Sequence, residues 1–275
     1  MIIDRIHTNT ILKELPTEGH SPLLVMGSDY EMYVAKNDKG KEPPFALINE
    51  YFAAYTLSRW NIASPNVKLI DISRDLIRAE DGLSNYHRPH YYNIPCFGSK
   101  FIKNAVDVNA LLVTSDRKTY NKILNPIDIF HITLFDTWVE NDDRKPTNYN
   151  LLLEPNNSKF RVLPIDNAFI FSTMSYQDLD PQYGASVSVN DHLLISELGC
   201  LVKTYVTIND DFINNERDYF YLCLQRSEQG FDDFMNQVAG FFTIDDDYIL
   251  NLKSFLFNEE RNIKVFEEYV YRLKQ

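Results

Sequence analysis

The chain has 275 residues, 44% hydrophobic and 24% charged, which is the composition of an ordinary folded protein. Its 27 basic residues stand against 39 acidic ones, a formal net charge of −12, so nothing offsets the repulsion of phosphate and nucleic-acid or anionic-membrane partners are disfavoured. No apolar run approaches the ~20 residues of a membrane span. Met1-Ile2-Ile3-Asp4-Arg5 lacks the basic start and apolar stretch of an export signal. Cys96, Cys200 and Cys223 lie far apart and form no CxxC pair, so neither a disulfide framework nor a zinc ribbon is expected. These features together give a cytoplasmic expectation.

Glycine is scarce. The nine glycines stand singly, with no GxGxxG and no GxxxxGK[ST] spacing. GxSxG and HExxH are absent as well. A dinucleotide-binding Rossmann domain, a Walker-type NTPase and an α/β-hydrolase are therefore poor readings.

In chain order, the first part reads as strand-rich with one helix. Ser21 to Lys36 gives two short strands around Met26-Gly27-Ser28-Asp29, the second with Tyr33 and Ala35 alternating against Met32, Val34 and Lys36. A polar connection from Asn37 to Pro44 follows. Leu47, Ile48, Tyr51, Phe52 and Tyr55 then recur at helical spacing from Phe45, and the helix ends between Trp60 and Ser64, before Pro65. Val67 to Ile72 and Tyr91 to Ile102 read as further strands. His87 and His90, three apart with no other His or Cys nearby, fit a tyrosine-rich surface segment better than a metal site.

A connection near Phe97 to Asn104 leads to a mainly helical remainder. Pro126 suits the first turn of a helix running to about Glu140, with His131 on its apolar stripe as a core histidine. A hairpin, Asn150 to Glu154 and Phe160 to Ile165, turns at Asn156-Asn157-Ser158. Helices return from about residue 190, and Thr243 with Asp246 resembles a capping box. Asp245-Asp246-Asp247 read as first-turn acids that offset the helix dipole. Strands followed by helices argue an α+β fold or two lobes, dividing at residues 1–103 and 104–275.

The chemistry concentrates between Glu140 and Phe169. A polar loop holding Asp143 and Asn148 enters one hairpin strand and Asp166 leaves the other, so the hairpin returns Asp166 to the neighbourhood of Asn148. An amide and a carboxylate so placed suit a hard cation such as Mg²⁺, and Asp143 could hold or deprotonate a hydroxyl. In the first part, Lys36 ends a strand and Glu50 lies early in the following helix, the pairing by which protein kinases hold ATP phosphates.

At these residues the chain resembles the HipA-like kinases, distant relatives of protein kinases known from toxin–antitoxin modules. The pattern N-x-D-R-x-x-x-N appears as Asn141 to Asn148, and an aspartate-bearing segment follows as Ile165-Asp166-Asn167-Ala168-Phe169. Asn49-Glu50 resembles the family's N-E helix start, which leads to a similar Ser64-Pro65 exit. Gly19-His20-Ser21-Pro22-Leu23-Leu24 resembles its phosphate-covering loop, and Phe97-Gly98-Ser99-Lys100 a segment near the lobe connection. The resemblance implies a kinase-like, two-lobed fold and an ATP- and Mg²⁺-dependent phosphotransferase, acting on Ser or Thr of a protein. It implies Asp143 as catalytic aspartate, Asn148 and Asp166 as metal ligands, and Lys36, oriented by Glu50, on the ATP phosphates, with Ser21 in the covering loop. Lys145 stands where many members have His, and Lys145-Pro146 is similar to the protein-kinase catalytic loop, where a lysine supports the transferring phosphate. Ser172 to Asn190 falls where an activation or substrate loop would lie. A toxin–antitoxin-type partner is compatible with the family. Alternative readings are a kinase-like binding module that transfers nothing, and a nucleotidyl transferase that moves AMP.

Overall fold

Pairing rather than burial defines the first strand. β1 (Arg5–Glu14) exposes most of its side chains and buries only Ile11, so no hydrophobic alternation announces it in the sequence. It is held by β2 (Leu23–Gly27) on one side and, in parallel, by β4 (Val67–Asp71) on the other. With β3 (Met32–Lys36) and β5 (Cys96–Lys100) the strands close on themselves in the order β1-β2-β3-β5-β4. This computed structural model describes residues 3–15, 21–38, 45–108, 116–183 and 191–275.

The β2–β3 hairpin pairs Leu23 with Ala35 and Met26 with Met32. Tyr33 and Ala35 point into a core with Ile11, Val25 and Ile70, while Val34 and Lys36 take the opposite face. Lys36 thus projects away from the strand core. Gly98 lies between neighbours, and a Cβ there would run into the Ile70 side chain.

Helix α1 (Ala46–Arg59) begins as the apolar period predicts, but burial extends around it: Leu47 through Leu57 are all buried, Asn49 and Glu50 included. Tyr51 joins it to the sheet, packing on Phe97 and donating its hydroxyl to the carbonyls of Lys68 and Cys96. Phe52, Tyr55 and the following Trp60 face the helical part, where Tyr55 stacks on Phe234 at 4.4 Å and Trp60 lies 5.4 Å from Trp138.

Four expectations for this part need correction. A second helix, α2 (Arg74–Ala79), follows β4, capped by Ser73 accepting from the Asp75 amide. The stretch Tyr91 to Ile102 is a strand only over β5; Pro89–Tyr92 is a 3-10 turn, since Pro89 and Pro95 interrupt the ladder. Phe97–Lys100 is consequently sheet, not connection. His87 is buried and hydrogen-bonds Tyr92 Oη at 2.6 Å, so only His90 keeps the surface position expected of both.

The helical part contains α3 (Arg117–Lys122), α4 (Asp128–Trp138), α5 (Glu197–Tyr205), α6 (Asp210–Gln229), α7 (Phe231–Ala239), α8 (Asp246–Leu256) and α9 (Glu259–Lys274). Inserted before α5 is a three-stranded sheet of β6 (Val106–Asp107), β7 (Leu151–Asn156) and β8 (Lys159–Pro164), whose hairpin matches the sequence reading. α4 buries ten of its eleven residues; His131 is the exception, stacked on Tyr219 and 3.2 Å from Glu216. The expected capping box at Thr243 does not form, because Asp245 takes the N-cap and makes no side-chain cap bond. Asp246 and Asp247 occupy the first turn, as read. Among the described residues no helix is long and apolar enough to cross a membrane.

His192 provides a pH handle. Its Nδ1 accepts from the Leu194 amide and its Nε2 faces Gln275 Oε1 at 2.9 Å, an arrangement that requires the neutral ring. Burial pulls its pKa below the ordinary histidine value. A depressed folded pKa gives stability that is present above the unfolded pKa of about 6.5 and lost as pH falls through the folded value. Denaturant midpoints compared between about pH 7 and pH 5 should fall more steeply for the parent than for His192→Asn, which keeps a cap acceptor. Parallel profiles would show that His192 stays protonation-silent.

Candidate functional site

Lys36, Glu50 and Asp166 meet where the sheet, α1 and the end of β8 converge. Lys36 Nζ bonds Glu50 Oε1 and reaches Asp166 Oδ1 at 2.7 Å. Glu50 spends its other oxygen on the backbone N–H of Asn167, at 3.0 Å. Burial by itself would discharge the lysine, but the Asp166 and Glu50 carboxylates outweigh it and hold Lys36 above its usual pKa, as a firm cation. The Asp166 side chain remains 41% exposed, beside a cavity.

That cavity encloses about 280 Å³. Val34 and Val67 line it from the sheet, Ala54 and Leu57 from α1, and Leu152 and Ile165 from the hairpin, together with Phe101 and Ile102. Lys36, Glu50 and Asp166 complete it. An apolar slot with a few charged groups is the usual form of a small-molecule site.

Asp143 and Asn148 meet on one loop. Reciprocal backbone bonds between Lys145 and Asn148, at 2.9 and 3.0 Å, close a turn over Pro146-Thr147 and bring Asn148 Nδ2 within 3.1 Å of Asp143 Oδ1. The second Asp143 oxygen accepts from Asn150 Nδ2 at 2.8 Å. Asn141 Oδ1 takes the Asp143 amide from below. Asn150 was not singled out from the sequence, where it reads as the first residue of a strand. Its left-handed backbone, φ 46°, is what turns its amide toward Asp143.

Arg144 ties this loop to the one that carries Asp166. Its side chain is fully buried. Nε pairs with Asp136 at 2.9 Å, Nη1 donates to the carbonyls of Tyr149, Asn150 and Ile165, and Nη2 donates to Asn167 Oδ1 at 2.7 Å. One guanidinium therefore holds the residues on both sides of Asp166. Asp166 itself adopts φ 57°, a conformation aspartate tolerates better than most residues.

A family model for HipA-like kinases matches residues 9–180, well over half the chain and all of this site. The chain belongs to the HipA-like kinases. Among solved structures it is similar to the Helicobacter pylori proinflammatory kinase CtkA, with a TM-score of 0.55 and 14% identity over 99% of this chain and 98% of that one. It is also similar to HipA of the Shewanella oneidensis MR-1 toxin–antitoxin system, solved with HipB and operator DNA. There the TM-score is 0.41 and the identity 11%, over 97% of this chain and 68% of that one. Among curated proteins none matches. At such identities the structural likeness bears on fold alone.

Within this HipA-like kinase, Asp143, Asn148, Lys145 and Ser21 lie outside the cavity lining that Lys36, Glu50 and Asp166 share. Lys145 is half-buried on the turn beside Asp143, and Ser21 is buried, its hydroxyl hydrogen-bonded to Glu14 and absent from the cavity lining. Gly19 and His20 of the expected covering loop, and residues 184–190 of the expected activation segment, lie outside the described residues. The apolar cavity residues were not identified from the sequence, because valines and leucines that line a cavity look like any core position.

The Arg144 network gives a stability test. Removing one partner of a buried pair leaves the other uncompensated, so Arg144→Met should cost about 3–5 kcal/mol, read by urea unfolding. The double variant Arg144→Met/Asp136→Leu should recover much of that loss. A cost under about 1 kcal/mol for the single variant would mean the two loops hold together without Arg144.

Proposed function

We propose that this HipA-like kinase transfers a phosphoryl group from Mg-ATP to a Ser or Thr hydroxyl of a protein, in a cleft between an N-terminal lobe of residues 1–103 and a C-terminal lobe of residues 104–275. One observation carries the reading: a single lysine bridges a helix glutamate and Asp166 beside an apolar cavity, with the Asp143 carboxylate held on the neighbouring loop. Phosphoryl transfer asks a protein mainly for positioning and charge neutralisation, and these residues offer both.

The donor chemistry fits a hard cation. Asp166 presents a carboxylate to the cavity. Asn148, its amide nitrogen engaged by Asp143, has its carbonyl oxygen to offer. Asp166 and Asn148 would hold Mg²⁺, which when bound neutralises charge on the ATP phosphates. Lys36 would move from Asp166 to those phosphates while Glu50, fixed by the Asn167 amide, keeps it aimed. Val34, Val67, Leu152 and Ile165 would sandwich the base. Asp143, both oxygens steadied by asparagine amides, retains lone pairs to accept the acceptor hydroxyl's hydrogen bond and proton. Lys145, next to it, would support the transferring group.

Asp143→Ala should leave Mg-ATP affinity nearly intact and slow transfer ~10²–10⁴-fold, the usual worth of a positioned base. Asp166→Ala should weaken both. Calorimetric titration with Mg-ATP and intact-mass analysis of the products decide the matter. If Asp143→Ala abolishes nucleotide binding while Asp166→Ala spares it, the roles are reversed. A mass gain of one AMP in place of one phosphoryl group would assign nucleotidyl transfer, and binding with no gain would assign a pure binding module.

A further inference from the structure

Asn49, the partner of Glu50 in the N-E pair, has no role in the chemistry above, yet it is fully buried. Its Nδ2 donates to the Ala168 carbonyl at 2.9 Å, and its Oδ1 accepts from Tyr176 Oη at 2.6 Å. The amide orientation is fixed, since only the nitrogen can face a carbonyl. One residue further on, Glu50 takes the Asn167 N–H. Adjacent helix residues thus grip backbone groups of the two residues directly after Asp166. Tyr176 is itself fully buried, stacked on Phe45 at 4.4 Å, with its carbonyl held by the Asn251 amide.

We propose that Asn49 is a positioning residue: together with Tyr176 it fixes residues 166–168 to α1 and so presets the Asp166 carboxylate beside Lys36. The inference rests on the phosphotransfer reading for the purpose of that placement, though the anchoring itself does not. Asp166 sits at positive φ, where its carboxylate direction depends on how the following peptides are held. Burial of α1 on all sides makes the helix a rigid anchor, so the grip is transmitted and not absorbed. An aspartate at position 49 would keep the acceptor for Tyr176 and lose the donor for Ala168; a phenylalanine at position 176 would do the converse.

The test uses the full chain with Asn49→Ala, Asn49→Asp and Tyr176→Phe, and two readouts. Hydrogen exchange without nucleotide should quicken about tenfold or more at the Asn167 amide in the Asn49 variants, less in Tyr176→Phe, with α4 core amides unchanged. Mn-ATP affinity by calorimetry should fall about tenfold in the Asn49 variants, as expected for losing a buried hydrogen bond that places a ligand. Unchanged exchange at Asn167, or an equal rise across the whole chain, overturns the anchoring. Faster local exchange with unaltered Mn-ATP affinity overturns the positioning role. Should the parent bind no Mn-ATP, the phosphotransfer reading fails, and the exchange data still judge the anchoring by themselves. Tyr176→Phe, the mildest change, keeps the test valid if the Asn49 variants do not fold.

Discussion

Helix α1 is buried on every face, and that constraint organises the rest of the molecule. A helix with one apolar stripe can be wet on the other side, but here the polar residues Asn49, Glu50 and Thr56 lie inside too. Each buried polar group must then find a partner, because an unmet one costs about 1–3 kcal/mol. Thr56 turns back to the Phe52 carbonyl, Asn49 takes Ala168 and Tyr176, and Glu50 takes Lys36 and Asn167. Two of these three residues are satisfied by groups from other parts of the chain. The need to pair buried polar atoms is what draws the strand lysine and the Asp166 loop to one place.

The second organising device is the base of the β7–β8 hairpin. The ladder runs as far as the bond from Ile165 N to Asn150 O, and there Asn150 and Asp166 both turn left-handed. Extended pairing would have pointed their side chains to alternate faces of a sheet. The two positive φ values instead aim an amide at Asp143 and a carboxylate at the cavity. Arg144, buried between the limbs, satisfies the carbonyls that this departure leaves unpaired and supplies the charge that balances Asp136. Burial pushes the Asp136 carboxyl upward while Arg144 opposes it, so the pair is held together by its surroundings as much as by attraction.

Much of this could be read from the residues. The β2–β3 alternation, the period of α1, the hairpin turn at Asn156-Asn157-Ser158 and the Asp143-to-Asn148 spacing are local patterns, and local sterics and hydrogen bonding write them directly into sequence. Other features left no such trace. β1 carries two threonines, an asparagine and a lysine, and it is a strand because β2 and β4 flank it. Asn150 looks like a strand residue until its φ is known. His87 looks like a surface residue until Tyr92 and the fold around it remove it from water.

The sequence by itself determined the β2–β3 and β7–β8 hairpins, the period of α1 and the strand-then-helix division, since periodicity and turn chemistry are properties of neighbouring residues. Tertiary structure alone decided that Lys36 reaches Glu50 and Asp166 together, that Asn150 steadies Asp143, and that Asn49 and Tyr176 grip the loop after Asp166. These contacts join residues up to 130 positions apart. Their geometry follows from which buried groups must be paired when the sheet, α1 and the helical part close on one another, and no window of sequence contains that information.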